Sequence, residues 1–420
     1  MENDKIIAVV DIGSTKVSAM IGSVHPSGKL KIEGEGSVSC RGFKKMMYYD
    51  MEMITTSVKR ALIMAQEKAN IIVSSVYVNV RGLYLNYIQK CFHIEFGNRE
   101  KEIDGEDVLV LLKEASKFSV YEDEKIVDVV PIKFYVDDDT EVDDPVGMIG
   151  KSLSVDVNII LGHSDIVNIL CKCIQKIGLM VDGVIPEAYP IARSQLRAIE
   201  KKGTTLIIDV GGKITEYFML IDNVVIYDNC IALGGENITS DIAKGLDISK
   251  ADAETLKRDI GYASVETFRQ NRDCYITHVG TGDTEMIRAS HIIDIIETRV
   301  TSIMNKITDN LVNDNIALEK INNIVIVGEG LRSLNGVDVI IRNTFGVNSR
   351  RPDFFVETGY MPAYLVSYSI IAYISSCIAY GRSYSVSMAK KNENLSSIGS
   401  ENRGGRKYIN MVKEFFTLNE

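Results

Sequence analysis

The sequence lacks the features that would commit it to most familiar classes. Positive charge is in deficit, since 47 Lys and Arg face 57 Asp and Glu for a formal net charge of −10. Neutralising a phosphate backbone needs basic patches, so nucleic acid is not the expected partner. The seven cysteines (Cys40, Cys91, Cys171, Cys173, Cys230, Cys274 and Cys377) are an odd, scattered set with no Cys-x-x-Cys pair. They support neither a disulfide framework nor a zinc site, and they fit reduced thiols in a cytoplasm. His25, His93, His163, His278 and His291 show no ligand spacing, and no Ser-His-Asp arrangement can be assembled. The segment Met1-Glu-Asn-Asp-Lys5 runs straight into a strand-like stretch without a basic and then apolar leader, so no secretory signal is expected. Residues 359–381 carry no charge and are about as long as a bilayer requires. Ser367, Ser369, Ser375, Ser376, Tyr368, Tyr373 and Tyr380 lower their hydropathy, and Pro362 lies near the start, so the segment reads as a core helix rather than a span.

What is present is a globular α/β pattern of 420 residues, 45% apolar and 25% charged, long enough for two or three domains. Ile6-Ile-Ala-Val-Val10, a turn at Asp11-Ile-Gly-Ser-Thr-Lys16, and Val17-Ser-Ala-Met-Ile-Gly22 read as a β-hairpin. A second hairpin, Thr205-Leu-Ile-Ile-Asp-Val210 and Thr215-Glu-Tyr-Phe-Met-Leu220, repeats the pattern, with Asp209 corresponding to Asp11. A repeat so widely spaced predicts two similar domains facing across a cleft. Helices are expected over 53–67, 106–117, 165–177, 249–260 and 292–311, with helical patterns dominating 236–311. A further strand and turn follow at Asn323-Ile-Val-Ile-Val327 and Gly328-Glu-Gly330. Residues 76–161, with runs such as Val76-Tyr-Val-Asn-Val80 and Lys125-Ile-Val-Asp-Val-Val130, read as a small α+β insert. Residues 386–405 read as a flexible tether.

Small turns that end apolar strands suit phosphates, because Gly and Ser let backbone N–H groups approach an anion and a nearby Asp can hold magnesium through water. One such turn is more often a plain hairpin. Two of them, with a separate Gly-Glu-Gly turn, favour phosphate binding.

These residues resemble the actin-like ATPase superfamily, and specifically the FtsA family of bacterial division proteins. Asp11-Ile-Gly-Ser-Thr-Lys16 resembles the first phosphate loop, Asp209-Val-Gly-Gly-Lys-Ile-Thr215 the second, and Val327-Gly-Glu-Gly-Leu-Arg-Ser-Leu-Asn-Gly336 the adenosine motif. Gly234-Gly-Glu-Asn-Ile-Thr239 with Ala253-Glu-Thr-Leu-Lys257 resembles the segment reaching ribose and adenine, and Pro186-Glu-Ala-Tyr-Pro190 a connection between domains. The resemblance implies a two-lobed, ribonuclease H-like fold. Its first lobe would take 1–75, 162–202 and 359–385, its second 203–358, and an SHS2-type insert 76–161. By the same resemblance ATP and Mg2+ are the cofactors. Asp11, Gly13, Ser14, Thr15, Lys16, Asp209, Gly211, Gly212 and Lys213 would serve the phosphates, with Asp209 and Asp11 supporting magnesium through water. Gly235, Glu254, Lys257, Gly328, Glu329 and Gly330 would serve the nucleoside. The implied partners are FtsZ through its C-terminal peptide, further copies of the chain, an anionic membrane surface and other divisome proteins, at the cytoplasmic face of the septal membrane. A pilus-type adaptor resembling PilM and a small-molecule kinase of the same superfamily are the alternatives.

The second loop departs from the usual Asp-Ile-Gly-Gly-Gly-Thr-Thr-Asp, with Lys213, Ile214 and Glu216 in place of the third Gly, a Thr and the final Asp. Glu329 replaces a Gly of the adenosine motif, and the usual Gly-Val-Ile run is missing after Gly42. Lysine adds charge but removes glycine's backbone freedom, so binding without rapid hydrolysis is expected, an ATPase at most slow. Glu187 reads either as a positioner of attacking water or as an exposed loop carboxylate. In a helix over 406–418, Tyr408, Ile409, Met411, Val412, Phe415, Phe416 and Leu418 fall on one half, opposite Arg406, Asn410, Lys413, Glu414 and Thr417. Such a helix is expected to lie in a membrane surface, docking on protein being the alternative.

Overall fold

The computed structural model describes residues 4–379 apart from 45, 46, 49, 98 and 271. The tether and amphipathic helix read at 386–405 and 406–418, like residues 380–385, lie outside the described residues.

Two five-stranded sheets share one topology. In the first, strand Lys5–Ile12 pairs antiparallel with Lys16–Val24, which pairs antiparallel with Leu30–Ser39. On its other side Lys5–Ile12 runs parallel to Ser75–Val80, and that strand runs parallel to Met180–Pro186. In the second, Thr204–Val210, Thr215–Ile221 and Val224–Ile231 repeat the antiparallel meander, and Asn323–Val327 and Ser349–Arg350 add the two parallel strands. The innermost strands are nearly continuous apolar runs because helices cover both faces. The order is therefore the same in both lobes, and Asp11, opposite Ser18, takes the place that Asp209, opposite Glu216, takes in the other. One apolar cluster fills the first lobe and runs on into one face of the second lobe's sheet through Ile207, Phe218, Leu220 and Val325, a second fills the rest of the second lobe, and a third lies in the insert.

Helix Met51–Ala69 starts where Asp50 caps the N–H of Met53 and ends at Asn70 in the left-handed region. It buries Ile54, Val58, Ala61, Leu62 and Ala65 on one stripe. That stripe seats closely on strand Leu30–Ser39 because Gly34 and Gly36 have no side chains. A Cβ there would stand 2.2 Å from the Ala65 carbonyl oxygen and 2.3 Å from that of Ala61.

Helix Leu365–Ala379 completes the first lobe. Ile370, Ile371, Ile374 and Cys377 are buried in its core. The serines that break the apolar run find partners inside the fold: Ser367 Oγ lies 3.2 Å from Ser18 Oγ, and Ser369 Oγ lies 2.7 Å from Ser194 Oγ. Among the described residues no helix is long and apolar enough to cross a membrane.

The insert is an antiparallel sheet in the order Thr140–Val142, Glu124–Val136, Ser152–His163, Leu85–Glu95. Helix Gly105–Ala115, started by an Asp104–Asp107 capping box, covers one face. Two expectations need correction. Strand Ser75–Val80, read with the insert, is an inner strand of the first lobe's sheet, so the insert begins beyond it. The stretch 236–311, read as helical, contains helices Gly235–Gly245, Lys250–Ile260 and Ala289–Asn313 but also a β-hairpin, Asp273–Thr277 with Thr284–Arg288.

Candidate functional site: a cleft of three glycine turns over buried carboxylates

The two hairpin turns close by the same bond. Gly13 N–H donates to the Lys16 carbonyl, and Gly211 N–H to the Ile214 carbonyl, each at 2.9 Å. A Cβ on either glycine would stand within 2.9 Å of that same carbonyl, so both positions need a residue without a side chain. The turns belong to different lobes and touch. A Cβ on Gly212 would lie 2.4 Å from Thr15 Cγ2, and Lys213 N–H reaches Ser14 Oγ at 3.4 Å.

The third turn seals the second. Gly328 has φ +89°, and a Cβ on it would come 2.2 Å from Asp209 Oδ1. Gly330 N–H donates to the Val210 carbonyl at 2.7 Å, Gly235 N–H to the Gly211 carbonyl at 3.0 Å, and Glu236 N–H to the Gly212 carbonyl at 2.8 Å. Lys257, buried, holds the Gly235 carbonyl at 3.3 Å and pairs with Glu254 at 2.7 Å. Burial pushes the Glu254 carboxyl up, but hydrogen bonds from Lys257, Thr239 and Arg258 outweigh it and leave the net shift downward. Lys16 is ion-paired with Glu329 across the lobes.

Beneath the turns lie five carboxylates: Asp11, Glu187 and Glu216 are buried, and Asp209 and Asp228 half-buried. Asn79, on strand Ser75–Val80, joins two of them. Its Nδ2 donates to Asp11 Oδ1 at 2.9 Å and to Glu187, while its Oδ1 accepts the Ile12 N–H at 2.7 Å. Glu187 is 2% exposed, which removes the exposed-loop reading. From the second lobe Glu216 accepts the Gly82 N–H at 2.6 Å, and Asp228 accepts the Tyr87 hydroxyl at 2.8 Å. Arg81 lies among them, its Nε 4.0 Å from Glu187 Oε1.

Burial raises every one of these acids. Asp209 is pushed up to about 6, chiefly by burial, with Arg81 opposing and Asp11 adding. Glu216 is pushed up to about 8 by burial and Asp228, again opposed by Arg81. Glu187 and Asp228 stand well above the usual carboxylate range, and Asp11 is raised.

The structure thus brings together Asp11, Gly13, Ser14, Thr15, Lys16, Glu187, Asp209, Gly211, Gly212, Lys213, Gly235, Glu254, Lys257, Gly328, Glu329 and Gly330. The membrane-helix residues lie outside the described residues. Sequence reasoning missed Asn79, Arg81 and Asp228. The available signal for Asn79 was one amide inside the apolar run Val76–Val80, where a buried polar group must find partners.

Residues 84–161 match the family model described as the SHS2 domain inserted in FtsA, and residues 206–369 match that of cell division protein FtsA. Cell division protein FtsA of Enterococcus hirae is 30% identical over 341 residues, 81% of this chain and 76% of that protein. The chain belongs to the FtsA family. FtsA of Bacillus subtilis is 29% identical over 311 residues, covering 74% of this chain and 70% of its own length. FtsA of Escherichia coli K12 is 26% identical over 307 residues, 73% of each chain. Among solved structures, one of the PilM-PilN type IV pilus biogenesis complex superposes with a TM-score of 0.56 at 15% identity, covering 88% of this chain and 98% of that one. MreB5 of Spiroplasma citri bound to ADP gives 0.50 at 14% identity, over 93% and 99%. The fold is actin-like, the insert is the SHS2 domain of FtsA, and the protein is a cell-division protein.

Proposed function

We propose that this FtsA-family protein binds ATP with magnesium between its lobes, assembles with further copies at the inner face of the cell membrane, and tethers FtsZ and other divisome proteins at the septum. The observation that carries the nucleotide reading is the contact of two identically built turns, one from each lobe, under a third glycine turn with positive φ. Ser14, Thr15, Lys16, Gly211, Gly212 and Lys213 would hold phosphate, while Gly235, Glu254, Lys257, Gly328, Glu329 and Gly330 would hold the nucleoside. Magnesium, when bound, neutralises phosphate charge. Asp11 and Asp209 fit it as acids whose burial calls for a cation. Magnesium keeps several of its waters and is held through one or two carboxylates, the number these two acids supply. Glu187, bonded to Asn79 beside Asp11, is placed to orient a water. With Lys213 and Ile214 in the second loop, hydrolysis is slow.

Family membership favours the division reading over an adaptor of another machine or a small-molecule kinase. The experiment is thermal unfolding of the full chain with millimolar magnesium ATP. A ligand at 100 times its Kd stabilises by about 2.7 kcal/mol, so the midpoint rises, and an Asp11→Ala, Gly328→Val double variant loses the rise. No shift in the wild type overturns the nucleotide reading.

A further inference from the structure

We propose that two consecutive arginines, Arg350 and Arg351, tie the third glycine turn to the chain crossing at 196–203, so that a nucleoside held by the turn is registered where the lobes join. The proposal rests on the nucleotide reading above and goes beyond it in naming the residues that carry occupancy out of the cleft.

Position comes first. The chain leaves the first lobe between helix Ala188–Gln195 and strand Thr204–Val210. It returns between Arg350, which ends the outer strand Ser349–Arg350 of the second sheet, and Phe354, buried in the cluster that fills the first lobe. That outer strand runs parallel to Asn323–Val327, the strand that opens into the third turn, with Val325 opposite Arg350. Arg351 precedes Pro352, which disfavours helical backbone, and consecutive side chains of an extended chain point to opposite sides. One arginine therefore reaches the outgoing crossing and the other the turn.

Bonding comes second. Arg350 grips Glu200 with its planar fork, Nε donating to Oε1 and Nη2 to Oε2, each at 2.6 Å. Nη2 also donates to the Gln195 carbonyl at 2.7 Å, one of those that a helix leaves open at its C-terminal end. Glu200 is held from its own side of the crossing as well. Its carboxylate accepts the Arg197 N–H at 2.8 Å, and its carbonyl accepts the Thr205 hydroxyl at 2.6 Å. The ion pair is largely enclosed, with side chains 17% and 9% exposed. Apolar residues of similar size would stabilise a fold at least as well as an enclosed charge pair, whose best-attested use is to fix one arrangement of the chain. Arg351 faces the other way: its Nη1 donates to the Leu334 carbonyl at 2.6 Å and the Leu331 carbonyl at 3.3 Å, on the run that continues Gly328-Glu-Gly330. A third turn that shifts to accept a nucleoside therefore moves Arg351, and Arg350 with it, against Glu200.

Amide hydrogen exchange of the full chain, read by mass spectrometry with and without excess magnesium ATP, tests the link. Removing a merely structural pair would speed exchange at 196–203 equally in both conditions, so the nucleotide-dependent difference is the readout. In the wild type ATP is expected to slow exchange at 328–336 and also at 196–203, there by at least about fivefold, the low end of coupling between sites. Glu200→Gln, which alters no residue of the turn, keeps the slowing at 328–336 and loses it at 196–203. Arg350→Lys, which keeps the charge but not the fork, loses it as well. No slowing at 196–203 in a wild type whose unfolding midpoint rises with ATP overturns the link and leaves the nucleotide reading standing. No rise in the midpoint overturns both. Slowing at 196–203 that persists in Glu200→Gln overturns the role of the ion pair. If Glu200→Gln fails to fold, the wild type and Arg350→Lys decide alone.

Discussion

Lys16, on the first turn, and Glu329, on the third, form an ion pair that joins the two lobes across the cleft. Both side chains are partly exposed, at 24% and 43%. Exposed pairs contribute about 0.2–1 kcal/mol, so this one matters little to stability. It matters more as competition, because an anion that uses Lys16 must first displace Glu329. Glu329→Gln is therefore expected to tighten nucleotide binding up to about fivefold, the equivalent of 1 kcal/mol, while the unfolding midpoint stays within a few degrees. Weaker binding by the variant would show that the carboxylate's contact with the nucleoside outweighs its competition for Lys16.

Gly328 allows the third turn to approach Asp209. A methyl group there meets Asp209 Oδ1 at 2.2 Å and the Val210 carbonyl oxygen at 2.5 Å, at a φ of +89° that side chains avoid. Gly328→Ala is expected to destabilise the protein by about 1–3 kcal/mol and to abolish the nucleotide-dependent rise in midpoint. Calorimetry with and without ATP measures both effects. A variant as stable as wild type would mean that the turn relaxes freely.

The buried acids give the protein an unusual response to pH. Asp209 at about 6 and Glu216 at about 8 hold protons more tightly folded than unfolded, where carboxyls titrate near 4. Between those values the folded state binds more protons, so stability falls as pH rises. Glu200 and Glu254, shifted the other way, lose their contribution only as pH drops below the ordinary carboxylate range. The nucleotide-free midpoint is thus expected to be higher at about pH 5.5 than at about pH 8.5, with Glu216→Gln flattening the slope. A midpoint that climbs steadily over this interval would contradict the charge arrangement.

The tail carries its own test. Arg403, Arg406, Lys407 and Lys413 face only Glu414 and the terminal Glu420, making a basic segment on an acidic chain. If the segment binds as a helix in a membrane surface, each basic residue near anionic lipid contributes about 1 kcal/mol against a backbone ordering cost of about 1–2 kcal/mol per residue, so a single tail would bind weakly and several would act through avidity. Wild type is expected to float with anionic vesicles, while truncation after Asn402, or Phe415→Glu with Phe416→Glu, leaves the protein in the soluble fraction. Equal flotation of the truncated chain would favour docking of the tail on protein.

Local signals made much of this fold legible. The hairpins announced themselves as apolar runs ending in Asp-x-Gly, and the helix expected over 53–67 is found as Met51–Ala69. What was hidden depends on distant partners. Val76-Tyr-Val-Asn-Val80 reads as a strand, but nothing in the run says which sheet it joins, and its parallel partners lie at Lys5–Ile12 and Met180–Pro186. The hairpin Asp273–Thr277 buries only Cys274 and Ile276, too short an alternation to stand out beside long helices. Arg81 and Asp228 carry no local signal, because only the folded chain brings Gly82 against Glu216 and Tyr87 against Asp228.

The placement of helix Leu365–Ala379 has a consequence for how the molecule is made. The second lobe draws its sheet from residues 204–350 and has all of it once that stretch has left the ribosome. The first lobe has its five strands by residue 186 but not the helix that covers them. Strand Lys16–Val24 is synthesised early, yet Ser18 waits for Ser367, and the core around it waits for Ile370, Ile371, Ile374 and Cys377. During elongation the earlier-born half therefore carries an uncovered apolar sheet face until helix Leu365–Ala379 arrives, the kind of exposure that nascent-chain chaperones recognise.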